Sequence, residues 1–148
     1  GFDGFIFPDL PLEESPGWRQ AAAEAGMTST LLIAPTTPVG RAEQIAKACT
    51  GFVYLLARAG LTGERSELPD IAGRVQKLRT MTDLPVAVGF GVSSPEHVRH
   101  VVASADAAIV GSALVRRMAD AVAGAPDANA AAAEVAEAFG RQLAAGLG

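Results

Sequence analysis

Gly89-Phe90-Gly91-Val92-Ser93-Ser94-Pro95, followed some twenty residues later by Gly111-Ser112-Ala113, is the stretch that decides the fold. Each glycine turn follows a short apolar run, Pro85 to Val88 in the first case and Ala107 to Val110 in the second. Each opens onto a segment with helical patterning. Strand, glycine turn and helix start, repeated in tandem, is how the last two units of a (β/α)8 barrel build a phosphate pocket. Glycine lets the backbone approach an anion, and helix N-termini offer free N–H groups at a positive dipole end. A phosphorylated small molecule is the ligand this pattern implies. The 148 residues of the chain fall short of the roughly 250 such a barrel typically uses.

Outward from this stretch, apolar runs recur at fairly even spacing: Phe5–Phe7, Thr30–Ala34, Phe52–Ala57, Pro85–Val88 and Ala107–Val110. They are short and mostly rich in Val, Ile, Leu or Phe, the pattern of parallel strands buried on both faces. Helical segments lie between them. Ser15-Pro16 predicts a first helix with Ser15 as N-cap and Pro16 in its first turn, stopping at Gly26. Thr37-Pro38 repeats the signature for a second helix ending near Gly51. A third follows Pro69, with Ile71, Val75 and Leu78 at helical spacing, and a fourth starts at Ser94-Pro95-Glu96 and carries Val98, Val101 and Val102. Leu114, Val115 and Met118 mark a fifth. After the linker Gly124-Ala125-Pro126-Asp127, the Ala-rich tail from Asn129 to Leu147 reads as a last helix, with Val135, Phe139 and Leu143 on one face. Strand–helix alternation of this kind implies parallel strands joined by right-handed crossovers.

A doubly wound sheet of five strands would satisfy the same alternation. Against it, the first strand starts almost at Gly1 and would leave an apolar edge uncovered. A barrel removes edges by closure. The expectation is therefore an α/β fold of the (β/α)8 TIM-barrel type, a single domain over residues 1–148 holding the C-terminal five βα units plus a C-terminal helix, with the first three units absent from this chain.

Composition narrows the function classes. The chain is 49% hydrophobic and 19% charged, with a net charge of -4. No Lys/Arg stripe is present to neutralise nucleic-acid phosphates, and aromatic residues are only 5%, too few for base-stacking platforms. No apolar run approaches the roughly 18 residues of a membrane span. The start, Gly1-Phe2-Asp3-Gly4, lacks the basic-then-apolar look of a secretory signal. Cys49 is the single cysteine and cannot form an internal disulfide or a Cys-rich metal site, so it reads as structural. A reducing, cytoplasmic location is the expectation. His97 and His100 stand at i, i+3 without an evident third ligand and read as a solvated face; no metal and no cofactor are expected.

A second segment carries chemistry. Phe52-Val53-Tyr54-Leu55-Leu56-Ala57-Arg58 is a strand that runs into a polar, glycine-bearing loop from Gly60 to Glu67. A loop there, at the C-terminal end of a strand, is where a barrel enzyme places a lid; a plain surface loop with a glycine hinge fits the spacing equally well.

Four segments together resemble one family. Asp9-Leu10-Pro11-Leu12-Glu13-Glu14, Tyr54-Leu55-Leu56-Ala57-Arg58-Ala59-Gly60-Leu61-Thr62-Gly63, Gly89 to Glu96 and Val110-Gly111-Ser112-Ala113 occur in the order and strand positions of the tryptophan synthase alpha subunit. The resemblance covers nearly the whole chain, from the family's fourth strand to its C-terminal helix. It implies a barrel that cleaves indole-3-glycerol phosphate, by a retro-aldol reaction, to indole and glyceraldehyde 3-phosphate, and that hands indole to a beta subunit in an alpha2beta2 complex. It implies that Gly63, Gly91, Gly111 and Ser112 form the phosphate cradle, with Phe90 beside them. Tyr54 would lie near the glycerol and indole end of the substrate, Ile6 and Ile33 would wall the indole pocket, and Thr62 would orient a catalytic aspartate. Asp9 would belong to the site's rim. The family's catalytic Glu and Asp would lie upstream of Gly1, so no catalytic residue is expected in this chain. Nothing in the sequence makes Asp9, Glu64 or Glu67 a matched acid–base pair in their stead, and Glu13, Glu14 and Glu96 fit helix first turns. Two other readings stay open: a different phosphate-binding barrel, such as a sugar-phosphate isomerase or epimerase, and a non-catalytic half-barrel that binds a partner.

Overall fold

The computed structural model describes residues 1–57, 71–89 and 91–148. The described strands are β1 (Gly4–Phe7), β2 (Thr28–Ile33), β3 (Val53–Leu56), β4 (Val86–Gly89) and β5 (Ala107–Ile109). The helices are α1 (Ser15–Glu24), α2 (Val39–Ala48), α3 (Ala72–Arg79), α4 (Pro95–Val102), α5 (Ser112–Val122) and α6 (Ala128–Ala144), with a 3-10 turn at Leu12–Glu14 leading into α1. The five strands form one parallel sheet in the order β1-β2-β3-β4-β5. That order separates the two architectures left by the alternation. A doubly wound sheet reverses its strand order at a switch point and puts helices on both faces. Here each strand is added on the same side of the last, so right-handed crossovers place successive helices on one face, as in the wall of a barrel.

Register gives each residue its face. Leu32, Tyr54, Ala87 and Ala107 stand in one row across the sheet, and Ile33, Leu55, Val88 and Ala108 in the next. Successive residues of a strand point to opposite faces, so these rows face opposite ways. The Ile33 row packs into the core, where Leu55 is 1% exposed and Val88 is 0% exposed. Ala42 and Ile45 of α2, Val75 and Leu78 of α3, and Val98 and Val101 of α4 complete that core. The Tyr54 row forms the other, more open face, with Leu32 and Tyr54 half-buried.

The expectation of strands buried on both faces holds for β4, every residue of which is buried. It fails at the sheet's two ends. Phe5 is 43% and Ile6 45% exposed in β1, and no residue of β5 is fully buried, because each has a neighbouring strand on one side only. Two helix starts also differ from expectation. Ser15 is the first residue of α1 rather than its N-cap; its buried hydroxyl donates to Leu12 O at 2.7 Å, because the 3-10 turn already winds the chain before the helix. At α2 the extended residue is Pro38, and Thr37 Oγ1 accepts from Ala34 N–H at 3.0 Å, which closes the preceding turn instead of capping the helix. α2 ends at Ala48, not near Gly51. Cys49 turns extended there, and its buried Sγ accepts Leu31 N–H at 3.3 Å, a structural role that joins helix end to strand.

Candidate functional site

The sheet brings the two glycine turns side by side. Gly89 of β4 pairs in register with Ile109 of β5. Gly91 and Gly111 each follow two residues beyond that pair, at the end of the sheet where α4 and α5 begin. Gly91 has φ +85°, a left-handed conformation that a side chain strains, so glycine is required there on backbone grounds alone. Gly111 is the N-cap of α5, and a Cβ built on it would meet nothing within 4 Å. Ser112 is exposed as the first residue of that helix. An open glycine beside the unpaired N–H groups of a helix's first turn suits an anion.

Tyr54 joins the same corner. A Cβ at Gly89 would fall 2.1 Å from Tyr54 Oη and 2.6 Å from Cζ, so the phenol lies against the last residue of β4, next to the Gly91 turn. Burial pushes the Tyr54 phenol above its ordinary pKa and keeps it a neutral donor. Ile6 pairs with Thr30, two residues before Leu32, and therefore shares the open face with Tyr54. Ile33 does not. It stands in the row of Leu55 and is 3% exposed within the helix-covered core, which takes it away from the wall the resemblance implied. Thr62, Gly63 and Phe90 lie outside the described residues, as do Glu64 and Glu67. Asp9 is exposed two residues past the end of β1, at the rim.

Three other carboxylates have partners within the fold. The Arg41 guanidinium takes Glu13 in a two-pronged contact, at 2.6 and 2.8 Å, and holds its carboxyl at about 2. Glu96 is lowered by backbone N–H bonding in the first turn of α4 and by the Ser94 hydroxyl. Asp106 accepts Val86 N–H at 2.8 Å and Arg79 at 3.0 Å, and both hold it below the usual carboxylate range.

Two neighbours of the site were not read as such from the sequence. Arg74 Nη1 donates to Leu56 O at 2.9 Å and to Ala57 O at 3.3 Å, tying α3 to the end of β3. Its helical position is unremarkable, and only the fold shows where its long stem reaches. His97, expected on a solvated face with His100, is half-buried and turned back onto Ser93, whereas His100 is exposed. Among the described residues, no group of three or more His, Cys, Asp or Glu is placed to hold a metal ion, and no helix is long and apolar enough to cross a membrane.

Comparison with known proteins bears on this geometry. A family model described as "Tryptophan synthase alpha chain" matches residues 1–145. The tryptophan synthase alpha chain of Cyanothece sp. is 47% identical over 137 residues, covering 89% of this chain and 49% of that protein. That of Solibacter usitatus is 41% identical over 150 residues, covering 100% of this chain and 54% of that protein. Among solved structures, a tryptophan synthase from Mycobacterium tuberculosis superposes with a TM-score of 0.76 at 33% identity, over 99% of this chain and 51% of that one. A tryptophan synthase a2b2 complex from Pyrococcus furiosus superposes with a TM-score of 0.74 at 30% identity, over 96% and 53%. The chain spans about half the length of the curated relatives it matches.

Proposed function

The chain belongs to the tryptophan synthase alpha chain family, and from that premise we propose that it supplies the phosphate cradle and one wall of a site that cleaves indole-3-glycerol phosphate to indole and glyceraldehyde 3-phosphate in tryptophan biosynthesis. The observation that carries this reading is the meeting of Gly91, Gly111 and the Tyr54 phenol at one corner of the sheet. Gly91, Gly111 and Ser112 take the phosphate by backbone N–H groups and the α5 dipole. Tyr54 contacts the glycerol and indole end, and Ile6 on the same face gives the indole ring apolar surface. Thr62, Gly63 and Phe90 enter this proposal through their match to the family's segments alone. Ile33 is left out of it, because its side chain belongs to the core.

The reaction breaks the bond between the indole ring and the glycerol chain. A base removes the proton of the adjacent glycerol hydroxyl, which becomes the aldehyde, and an acid protonates the indole carbon that leaves. We assign neither role to a described carboxylate, since Glu13, Glu96 and Asp106 are held as structural anions by their partners. The chain by itself is expected to bind phosphate and to release no indole; measurable indole release would overturn that assignment. The partner in this reading is a tryptophan synthase beta subunit, supported by likeness to the a2b2 complex of Pyrococcus furiosus, and the compartment is the cytoplasm.

Binding is tested by calorimetric titration with inorganic phosphate and with glycerol 3-phosphate. Gly91→Val fills the cradle and strains a backbone at φ +85°, and it is expected to abolish both heats. Equal affinity in variant and parent would remove Gly91 from the site.

A further inference from the structure

We propose that His97 is a positioning residue for the phosphate-facing turn, holding it through an acceptor nitrogen rather than through charge. The inference rests on the phosphate reading above and adds to it the group that sets the shape of the cradle. α4 begins with Ser94 as N-cap, whose hydroxyl accepts His97 N–H at 3.3 Å. The His97 side chain answers in the other direction. Its Nδ1 accepts Ser93 N–H at 3.4 Å and lies 3.4 Å from Ser93 Oγ.

This is a capping box with one residue changed. In the usual box a Glu or Gln at the third helical position reaches back to the N-cap N–H. Here the third position is His97, and it reaches one residue further, to Ser93. A backbone N–H only donates, so the proposed tether requires Nδ1 to be the acceptor and Nε2 to be the nitrogen that carries a proton. The turn is therefore held at two successive residues just after its glycine. Val92 is 3% exposed in the core, and Ser93 is tethered to His97. Between them they determine how the N–H groups after Gly91, itself at φ +85°, are aimed. Phosphate recognition by backbone donors depends on that aim, because such donors cannot re-orient independently of the chain.

The test uses the whole chain and inorganic phosphate. His97→Leu removes the acceptor and keeps comparable bulk, whereas His97→Gln supplies a carbonyl oxygen one bond further out, the acceptor of the usual box. His97→Leu is expected to weaken phosphate binding by about fivefold or more, the worth of one net hydrogen bond, and His97→Gln to stay within about twofold of the parent. His97→Leu is expected to lower the thermal midpoint by about 2–4 °C relative to His97→Gln, and phosphate affinity is compared well below both midpoints, which separates aim from stability. Phosphate affinity unchanged in His97→Leu, or equally weakened in His97→Gln, would overturn the inference. Nitrogen-detected NMR of the unsubstituted chain gives an answer that needs no variant: the Nε2–H tautomer supports the tether, and an Nδ1–H tautomer refutes it. If the unsubstituted chain binds no phosphate, the phosphate reading itself falls and this inference with it. That outcome is distinct from a normal parent with indifferent variants.

Discussion

Gly89→Ala should be felt almost wholly through Tyr54. The added Cβ would sit 2.1 Å from Tyr54 Oη, 2.6 Å from Cζ and 2.8 Å from Cε1, the nearest of these about 1.3 Å short of the 3.4 Å at which ordinary contact begins. One of the two must yield. β4 is buried throughout, and Gly89 O accepts Ala57 N–H at 3.0 Å, so the backbone is pinned from β3. The half-buried ring is the softer partner and is expected to swing off β4 toward the open face. Overpacking of this kind costs about 1–3 kcal/mol, or about 2–4 °C of midpoint per kcal/mol in a chain of this size. Urea unfolding of the parent, Gly89→Ala, Tyr54→Val and the double variant closes a thermodynamic cycle. With the ring gone, Gly89→Ala should cost little, leaving a coupling of more than about 1 kcal/mol. Tyr54 is the chain's single tyrosine, so its ionisation is read directly by absorbance. Burial raises its pKa in the parent. The unfolded chain therefore ionises first, and stability falls as pH rises above the ordinary tyrosine value of 10.0. In Gly89→Ala the phenol's pKa should return toward that value, and this alkaline loss should shrink. Equal costs of Gly89→Ala in both backgrounds, within about 0.3–0.5 kcal/mol, together with an unmoved phenol titration, would refute the contact.

Four further substitutions, at Asp106, Gly146 and Gly140, probe how the strands and the tail are held. Asp106→Ala leaves Val86 N–H without its carboxylate acceptor, which should cost about 1–3 kcal/mol near neutral pH by urea unfolding. Because the folded Asp106 pKa lies below the usual 3.8, its ionic contribution is present above that pH and is lost as pH falls through the lowered value. Asp106→Asn should accordingly flatten the acid limb, and an unchanged acid limb would count against the pairing. At the C-terminal end, a Cβ at Gly146 would lie 2.3 Å from Pro95 O and 2.9 Å from Val98 Cβ, so Gly146→Ala should destabilise by about 1–3 kcal/mol. Gly140, in the middle of α6, meets nothing within 4 Å, and Gly140→Ala should stabilise by about 0.5–1 kcal/mol. The same sign for both in a calorimetric scan would refute this placement of the tail.

By itself the sequence determined the order of the βα units, the two glycine turns, the Ser94 cap and the family, because all of these are written in local spacing. Apolar run length, a glycine where the backbone must pass close to a ligand, and Ser-Pro-Glu before a helix each act within a few residues of the chain. It did not determine which face a strand residue takes. Ile6 and Ile33 are both apolar residues in apolar runs, with no polar alternation to distinguish inside from outside. Only the pairing of β1 with β2 and of β2 with β3 sets them on opposite sides, one open beside Tyr54 and the other in the core. Strand order was equally beyond local reading. Alternation suits both the barrel wall and the doubly wound sheet, and the unbroken order β1 to β5 distinguishes them. The groups that shape the corner show the same division. Tyr54 reaches Gly89 across thirty-five positions of chain, and Arg74 reaches the end of β3 from the next helix, contacts made by long side chains across a register that no short window contains. His97 lay within reach of a local rule, and was missed because histidine in place of Glu or Gln hides the box until its Nδ1 is seen against Ser93.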